Sequence, residues 1–113
     1  MAGLAERSCV PCRGGVPPLA AAAQAKLLAE LGGGWAVVDG HHLEKRYAFD
    51  DFQKAFEFVA RVAGVAEAEG HHPDIELGWG RVVLRVHTHK IDGLTESDFV
   101  LAAKADRALG PSD

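Results

Sequence analysis

An α+β fold is predicted for this chain: a four-stranded antiparallel sheet with three helices packed on one face, in the order α-β-β-α-β-β-α. Three observations carry the prediction. Apolar residues recur at helical spacing in three stretches, while four shorter stretches alternate or run as β-branched segments. Glycine-containing turns join the strand-like segments in pairs, and tight hairpins make antiparallel neighbours. Helices with a single apolar stripe need a sheet to cover.

The elements follow in order. Leu19 to Leu31 is rich in Ala, Leu, Lys and Glu, all strong helix formers, and Gly32-Gly33-Gly34 ends the helix. Trp35 to Val38 reads as a strand, Asp39-Gly40 as a two-residue hairpin turn, and Leu43 to Phe49 as the return strand. That strand puts Leu43, Tyr47 and Phe49 on one face, with Lys45 the exception among them and Glu44 and Arg46 opposite. Asp50 or Asp51 caps the next helix, whose expected stripe is Phe52, Ala55, Phe56, Val59, Val62, Ala63 and Ala66. It should stop near Gly70, because Pro73 follows His71-His72 and bars simple continuation.

Ile75, Leu77 and Trp79 alternate with polar or small residues, so this segment reads as a half-buried strand reversing at Gly78 and Gly80. Arg81 to His89 reads as the fourth strand, with Val82, Leu84 and Val86 on one face and Val83, Arg85, His87 and His89 on the other. Thr95-Glu96-Ser97-Asp98 resembles a capping box with Thr95 as cap. The last helix then carries Phe99, Ala102, Ala103, Asp106 and Leu109, closed by Gly110 and Pro111.

A chain of 113 residues has room for one compact domain, expected over residues 19–110 behind an N-terminal arm, residues 1–18. The net charge of −4 and the mixed charge pattern argue against nucleic-acid binding. No apolar run approaches the ~20 residues that span a bilayer, and no signal peptide is visible, so a cytoplasmic protein is expected. Cys9 and Cys12 form one Cys-Val-Pro-Cys motif. A structural zinc site usually needs four ligands, and the Pro- and Gly-rich sequence that follows is not the helix start of a redox motif. An inert segment, a metal site and a disulfide all remain open for it.

Four of the six histidines fall in a stretch of 19 residues, as His71-His72 and His87-Thr88-His89. If the hairpin folds as read, the start of the third strand lies beside the end of the fourth, and both clusters meet there. Glu67, one helical turn before His71, and Asp98, in the first turn of the last helix, point to the same end of the sheet. Imidazoles titrate nearest neutrality and suit acid–base catalysis. His87 and His89 could instead face one ion, but no third or fourth ligand has a fixed spacing. The bland readings also stand: a solvated helix C-terminus for His71-His72, turn decoration for His41-His42, and a simple cap role for Asp98.

Taken together, these residues resemble the pterin-4a-carbinolamine dehydratase family in its bacterial form. The family pattern is an acidic residue, three residues, His-His-Pro, five residues, an aromatic, nine residues, His, and an Asp further on. The matching positions are Glu67, His71-His72-Pro73, Trp79, His89 and Asp98, and the likeness covers roughly Leu19 to Leu109.

The resemblance implies conversion of 4a-hydroxytetrahydrobiopterin to quinonoid dihydropterin plus water, within tetrahydrobiopterin recycling. It implies His71, His72 and His89 as the catalytic set, with Glu67 tuning His71. Glu67, Thr88, through its backbone, and Asp98 are the implied pterin-binding residues. No metal or other cofactor is implied. Trp79 is expected to serve the hairpin core or turn rather than to stack on the pterin. A homodimer or dimer-based tetramer is implied, with an aromatic amino-acid hydroxylase as a pathway partner. The alternative the resemblance carries is a non-catalytic binding module: some relatives are transcriptional coactivators and others Rubisco-assembly factors.

Overall fold

A computed structural model of the chain describes residues 3–9 and 17–109. Three α-helices, α1 (Ala21–Leu31), α2 (Phe52–Glu69) and α3 (Glu96–Leu109), accompany four strands, β1 (Ala36–Val38), β2 (His42–Ala48), β3 (Asp74–Gly78) and β4 (Arg81–Val86). The strands form one antiparallel sheet in the order β1-β2-β4-β3. Each hairpin contributes one central and one edge strand, and β2 pairs with β4 from Leu43↔Val86 to Ala48↔Arg81. The predicted fold class and element order are the observed ones.

Local chemistry explains the boundaries. Asp39 (φ 54°) and Gly40 (φ 63°) both take positive φ, as the favoured two-residue hairpin turn requires. The Asp51 carboxylate accepts from the Lys54 N–H at 2.8 Å and caps α2. Gly80 lies at φ 65°, and an added Cβ there would meet the Phe49 carbonyl oxygen at 2.9 Å. Its own carbonyl accepts from the Phe49 N–H at 2.9 Å, closing that end of the sheet.

The core lies between one sheet face and the helices. Leu43, Tyr47, Val82, Leu84 and Val86 point into it and are 0–4% exposed. From α2 it takes Ala55, Phe58, Val62 and Ala66, so the stripe is rotated from the one the sequence suggests. Phe52 and Phe56 lie outside it, about half exposed, and Phe58 supplies the large buried ring. Phe58 tilts against Tyr47 and Phe49, with ring centroids 4.6 and 5.4 Å away, and this aromatic contact sets the helix rotation. In α3, Asp98 through Ala102 are buried in succession. A segment covered on successive sides cannot show a simple amphipathic period.

Residues 3–9 also pack on the domain. Leu4 enters the core within a short 3-10 turn, Leu4–Glu6, and the Cys9 N–H donates to Glu69 at 2.8 Å. Lys104 donates to the Ala5 carbonyl at 2.9 Å from α3. Cys12, and with it the question of the cysteine pair, lies outside the described residues, as do Gly110 and Pro111.

One expectation is corrected and another is narrowed. The fourth strand ends at Val86 rather than at His89, because the Thr88 N–H turns to the Gly93 carbonyl at 2.8 Å. A 3-10 turn, His89–Ile91, follows. Trp79 is a turn residue and not a core one: it caps the β3–β4 reversal and is 73% exposed.

Candidate active site

The site is assembled where α2 ends, β3 begins and β4 stops. Gly70 adopts the left-handed conformation (φ 68°) that terminates a helix, and the Gly70 and His71 N–H groups both return to the Ala66 carbonyl. Pro73 lies just beyond, so the chain leaves α2 with His71 and His72 on a short fixed link into β3.

His71 points inward. Its Nε2 lies 2.6 Å from Asp98 Oδ1, and the Asp98 carboxylate is wholly buried. Asp98 Oδ2 accepts from the Thr88 hydroxyl and from the Thr95 N–H, each at 2.8 Å. The Thr88 and Thr95 hydroxyls are 3.0 Å apart. A buried carboxylate is tolerable only with such a set of partners, and here each oxygen has one or more. The Thr95–Asp98 contact is also half of the capping box expected at the start of α3.

His72 points outward, with Nε2 2.5 Å from Glu67 Oε2 and both side chains more than half exposed. Glu67 therefore pairs with His72 and not with His71. The reason is geometric: the left-handed turn at Gly70 directs His71 under the helix end, where Asp98 meets it, and leaves His72 beside the last exposed turn of α2.

His89 opens the 3-10 turn after β4, next in sequence to Thr88. Its ring lies 4.2 Å from that of His87, which lies 4.6 Å from His41. Burial lowers the His87 pKa from its ordinary value, and the neighbouring His89 and His41 lower it further, which favours a neutral imidazole. His41 Nε2 lies 2.7 Å from Asp92 Oδ1, and this contact depresses the aspartate pKa.

Of the predicted residues, His71, Asp98 and Thr88 share one hydrogen-bonded network, while His72 pairs with Glu67 and the His89 ring lies beside His87. His71, Asp98, Thr88 and Thr95 are linked by hydrogen bonds, His89 follows Thr88 in the chain, and His72 with Glu67 stands on the rim. The Thr88 backbone is occupied within its own loop, through Gly93 and Ile91, and its buried hydroxyl supports Asp98. Sequence reasoning offers His87 only as a possible metal ligand beside His89 and leaves it out of the catalytic set, does not single out Asp92, and treats His41 as turn decoration. The double histidine at the β1–β2 turn was the one available signal, and nothing local marked Asp92 as its partner.

Chemically, the arrangement offers three imidazoles, two of them held by carboxylates, around a water-accessible rim. That combination can donate and accept protons near neutral pH. Trp79 sits at the far end of β3 from Asp74, five residues away, or roughly 16 Å along a strand. It takes no part in this cluster.

Comparison with known proteins gives a consistent picture. The family model for pterin 4 alpha carbinolamine dehydratase matches residues 17–108. A protein of Rubrobacter xylanophilus, provisionally named a pterin-4-alpha-carbinolamine dehydratase, is 57% identical over 95% of this chain and 99% of its own length. The crystal structure of a transcriptional coactivator/pterin dehydratase from Brucella melitensis matches with a TM-score of 0.77 and 34% identity, covering 82% of this chain and 99% of that one. A pterin dehydratase-like protein identified as a RuBisCO assembly factor in the alpha-carboxysome matches with a TM-score of 0.61 and 25% identity. That match covers 73% of this chain and 96% of the other.

Proposed function

The chain belongs to the pterin 4 alpha carbinolamine dehydratase family, and from that premise we propose that it removes water from a 4a-hydroxytetrahydropterin to give the quinonoid dihydropterin. The observation that carries this reading is the pairing of two site imidazoles with carboxylates, His71 with Asp98 and His72 with Glu67, with His89 next in the chain to the Thr88 that supports Asp98. The reaction asks for the same kind of equipment. The 4a-hydroxyl must receive a proton as its C–O bond breaks, and a ring nitrogen must lose one as its electron pair forms the new C=N bond. One proton enters and one leaves, so no redox change is involved. Positioned groups of suitable pKa contribute ~10²–10⁴-fold to such transfers.

His71, His72 and His89 form the proposed catalytic set. Asp98 is a positioning residue that fixes the His71 ring from below, and Thr88 fixes Asp98 in turn. Glu67 orients His72 and, being exposed, is also placed to accept from donors on the flat pterin ring. The open edges of β1 and β3 support the self-association that the family implies.

A second reading rests on the structural relatives described as a coactivator and as a RuBisCO assembly factor. The two separate on one assay, ultraviolet absorbance of freshly generated 4a-hydroxytetrahydropterin with wild type and with His72→Ala. A dehydratase accelerates the loss of water, and the variant loses most of that acceleration. A folded wild type with no effect on the rate would overturn the enzymatic reading in favour of a binding module.

A further inference from the structure

Beyond the proton-transfer site, we propose that His41, His87 and Asp92 hold a divalent transition cation. Three separate segments deliver these residues: the β1–β2 turn, the end of β4, and the loop after the 3-10 turn His89–Ile91. Their donor atoms all lie within 4.8 Å of one another. His41 Nε2 and Asp92 Oδ1 are already 2.7 Å apart, and the His41 and His87 rings face each other at 4.6 Å with a 38° tilt.

The backbone around the cluster is built from special conformations. Asp39 and Gly40 take positive φ to bring the turn round to His41, and Asp92 itself sits at φ 51°. A tetrahedral ion with bonds of ~2.0–2.1 Å holds its ligand atoms about 3.4 Å apart, so side-chain rotation must part His41 Nε2 and Asp92 Oδ1 from 2.7 Å, with the ion taking the place of the shared proton, and draw any wider pair together. That rotation costs little here, because the His41 and Asp92 side chains are 35% and 86% exposed. His87, directly after β4, is half-buried like His41.

Two imidazole nitrogens and one carboxylate oxygen suit zinc, cobalt, nickel or copper, whereas magnesium and calcium call for oxygen ligands. Three protein ligands leave at least one coordination position for water or another small donor. The site shares none of its residues with the proposed catalytic set, so it stands independently of the dehydratase reading. His87 also belongs to a second compact group, with Asp74 and His89. A single ion chooses between the two groups, and the preformed His41–Asp92 contact favours the first.

The test is titration of the untagged full-length chain with zinc chloride by calorimetry, with visible absorption of the cobalt(II) form as a second readout. The expected result is one ion per chain and a cobalt spectrum free of thiolate-to-metal charge transfer. His41→Ala at a half-buried position and Asp92→Asn at an exposed one, both checked for unchanged circular dichroism, should each weaken binding more than about tenfold, since even outer-shell losses cost ~10–100-fold. Asp74→Asn should leave binding within about twofold. The proposal is overturned by absence of stoichiometric binding, by binding that survives His41→Ala, by binding lost in Asp74→Asn, or by a thiolate signature that moves the ion to the cysteines.

Discussion

Asp98 and Asp106 lie on the same helix, two turns apart, and each gathers three hydrogen bonds, yet they do different work. Asp98 is wholly buried and holds His71, Thr88 and the start of α3. Asp106 accepts from Lys45 Nζ at 2.8 Å, the Tyr47 hydroxyl at 2.6 Å and Trp35 Nε1 at 3.0 Å, with a quarter of its side chain exposed. The first cluster contains an imidazole, His71, and opens towards the histidine rim. The second joins an ammonium, a phenol and an indole, and it staples α3 to β2 and to Trp35 just before β1. A buried carboxylate becomes part of a chemical site through the protonation chemistry of its partners, not through its own burial or bond count.

Substitutions can break that contrast. The largest effect is expected from Asp98→Asn, which keeps the shape and the Thr95 contact but removes the charge facing His71. Turnover should fall about 100-fold, equivalent to about 2.7 kcal/mol of barrier, with KM within about twofold in the protein that remains folded. Steady-state dehydration kinetics and a thermal melt check it together. If kcat held, Asp98 would be structural like Asp106.

Asp106→Ala should show the reverse pattern. It leaves three donors without their acceptor and should destabilise by about 2 kcal/mol, below the ~3–5 kcal/mol of a fully buried pair because water reaches this one. Denaturant unfolding measures the loss, and kcat/KM should stay within about twofold of wild type. A large loss of activity in a folded protein would erase the distinction between the two clusters.

Tyr47→Phe sharpens the point through pH. Burial raises the Tyr47 hydroxyl above its ordinary 10.0, and its bond to Asp106 adds to the effect. A group whose folded pKa is raised contributes stability that is complete below the unfolded value and lost as pH climbs through the folded one. The wild type should therefore lose stability progressively above pH 10.0, and Tyr47→Phe should flatten that decline. At neutral pH the variant should cost about 1 kcal/mol for the lost hydrogen bond. Melts across the alkaline range read both effects.

The smallest effect on stability is expected from Glu67→Gln. Glu67 and His72 meet in water, where an exposed pair contributes ~0.5 kcal/mol or less. The melting temperature should hardly move, and any change should appear in the pH profile of turnover, where the orientation of His72 is felt. A clear destabilisation would mean that the rim pair is structural.

Much of this architecture was legible beforehand. Periodicity and turn residues gave the element order, and the Asp39-Gly40 turn and the Gly70 helix stop were read in place. Errors arose where the partner of a residue lies far along the chain. Phe58 was missed because Tyr47 and Phe49 set the rotation of α2, and β4 was read too long because Gly93 claims Thr88. Lys45 looked like a breach of the apolar face, and its reason is Asp106, 61 positions later.

The sequence by itself determined the α+β class, the end of the sheet where the histidines gather, and, through the spacing of Glu67, His71-His72-Pro73, His89 and Asp98, the family. These are local patterns, and local sterics and hydrogen bonding are enough to express them. Tertiary structure alone decided which carboxylate holds which imidazole: Asp98 for His71, Glu67 for His72 and Asp92 for His41. Such pairings depend on how a helix end, a strand end and two loops converge in space. A displacement of an ångström or two makes or breaks a hydrogen bond, so no spacing within one segment can specify them.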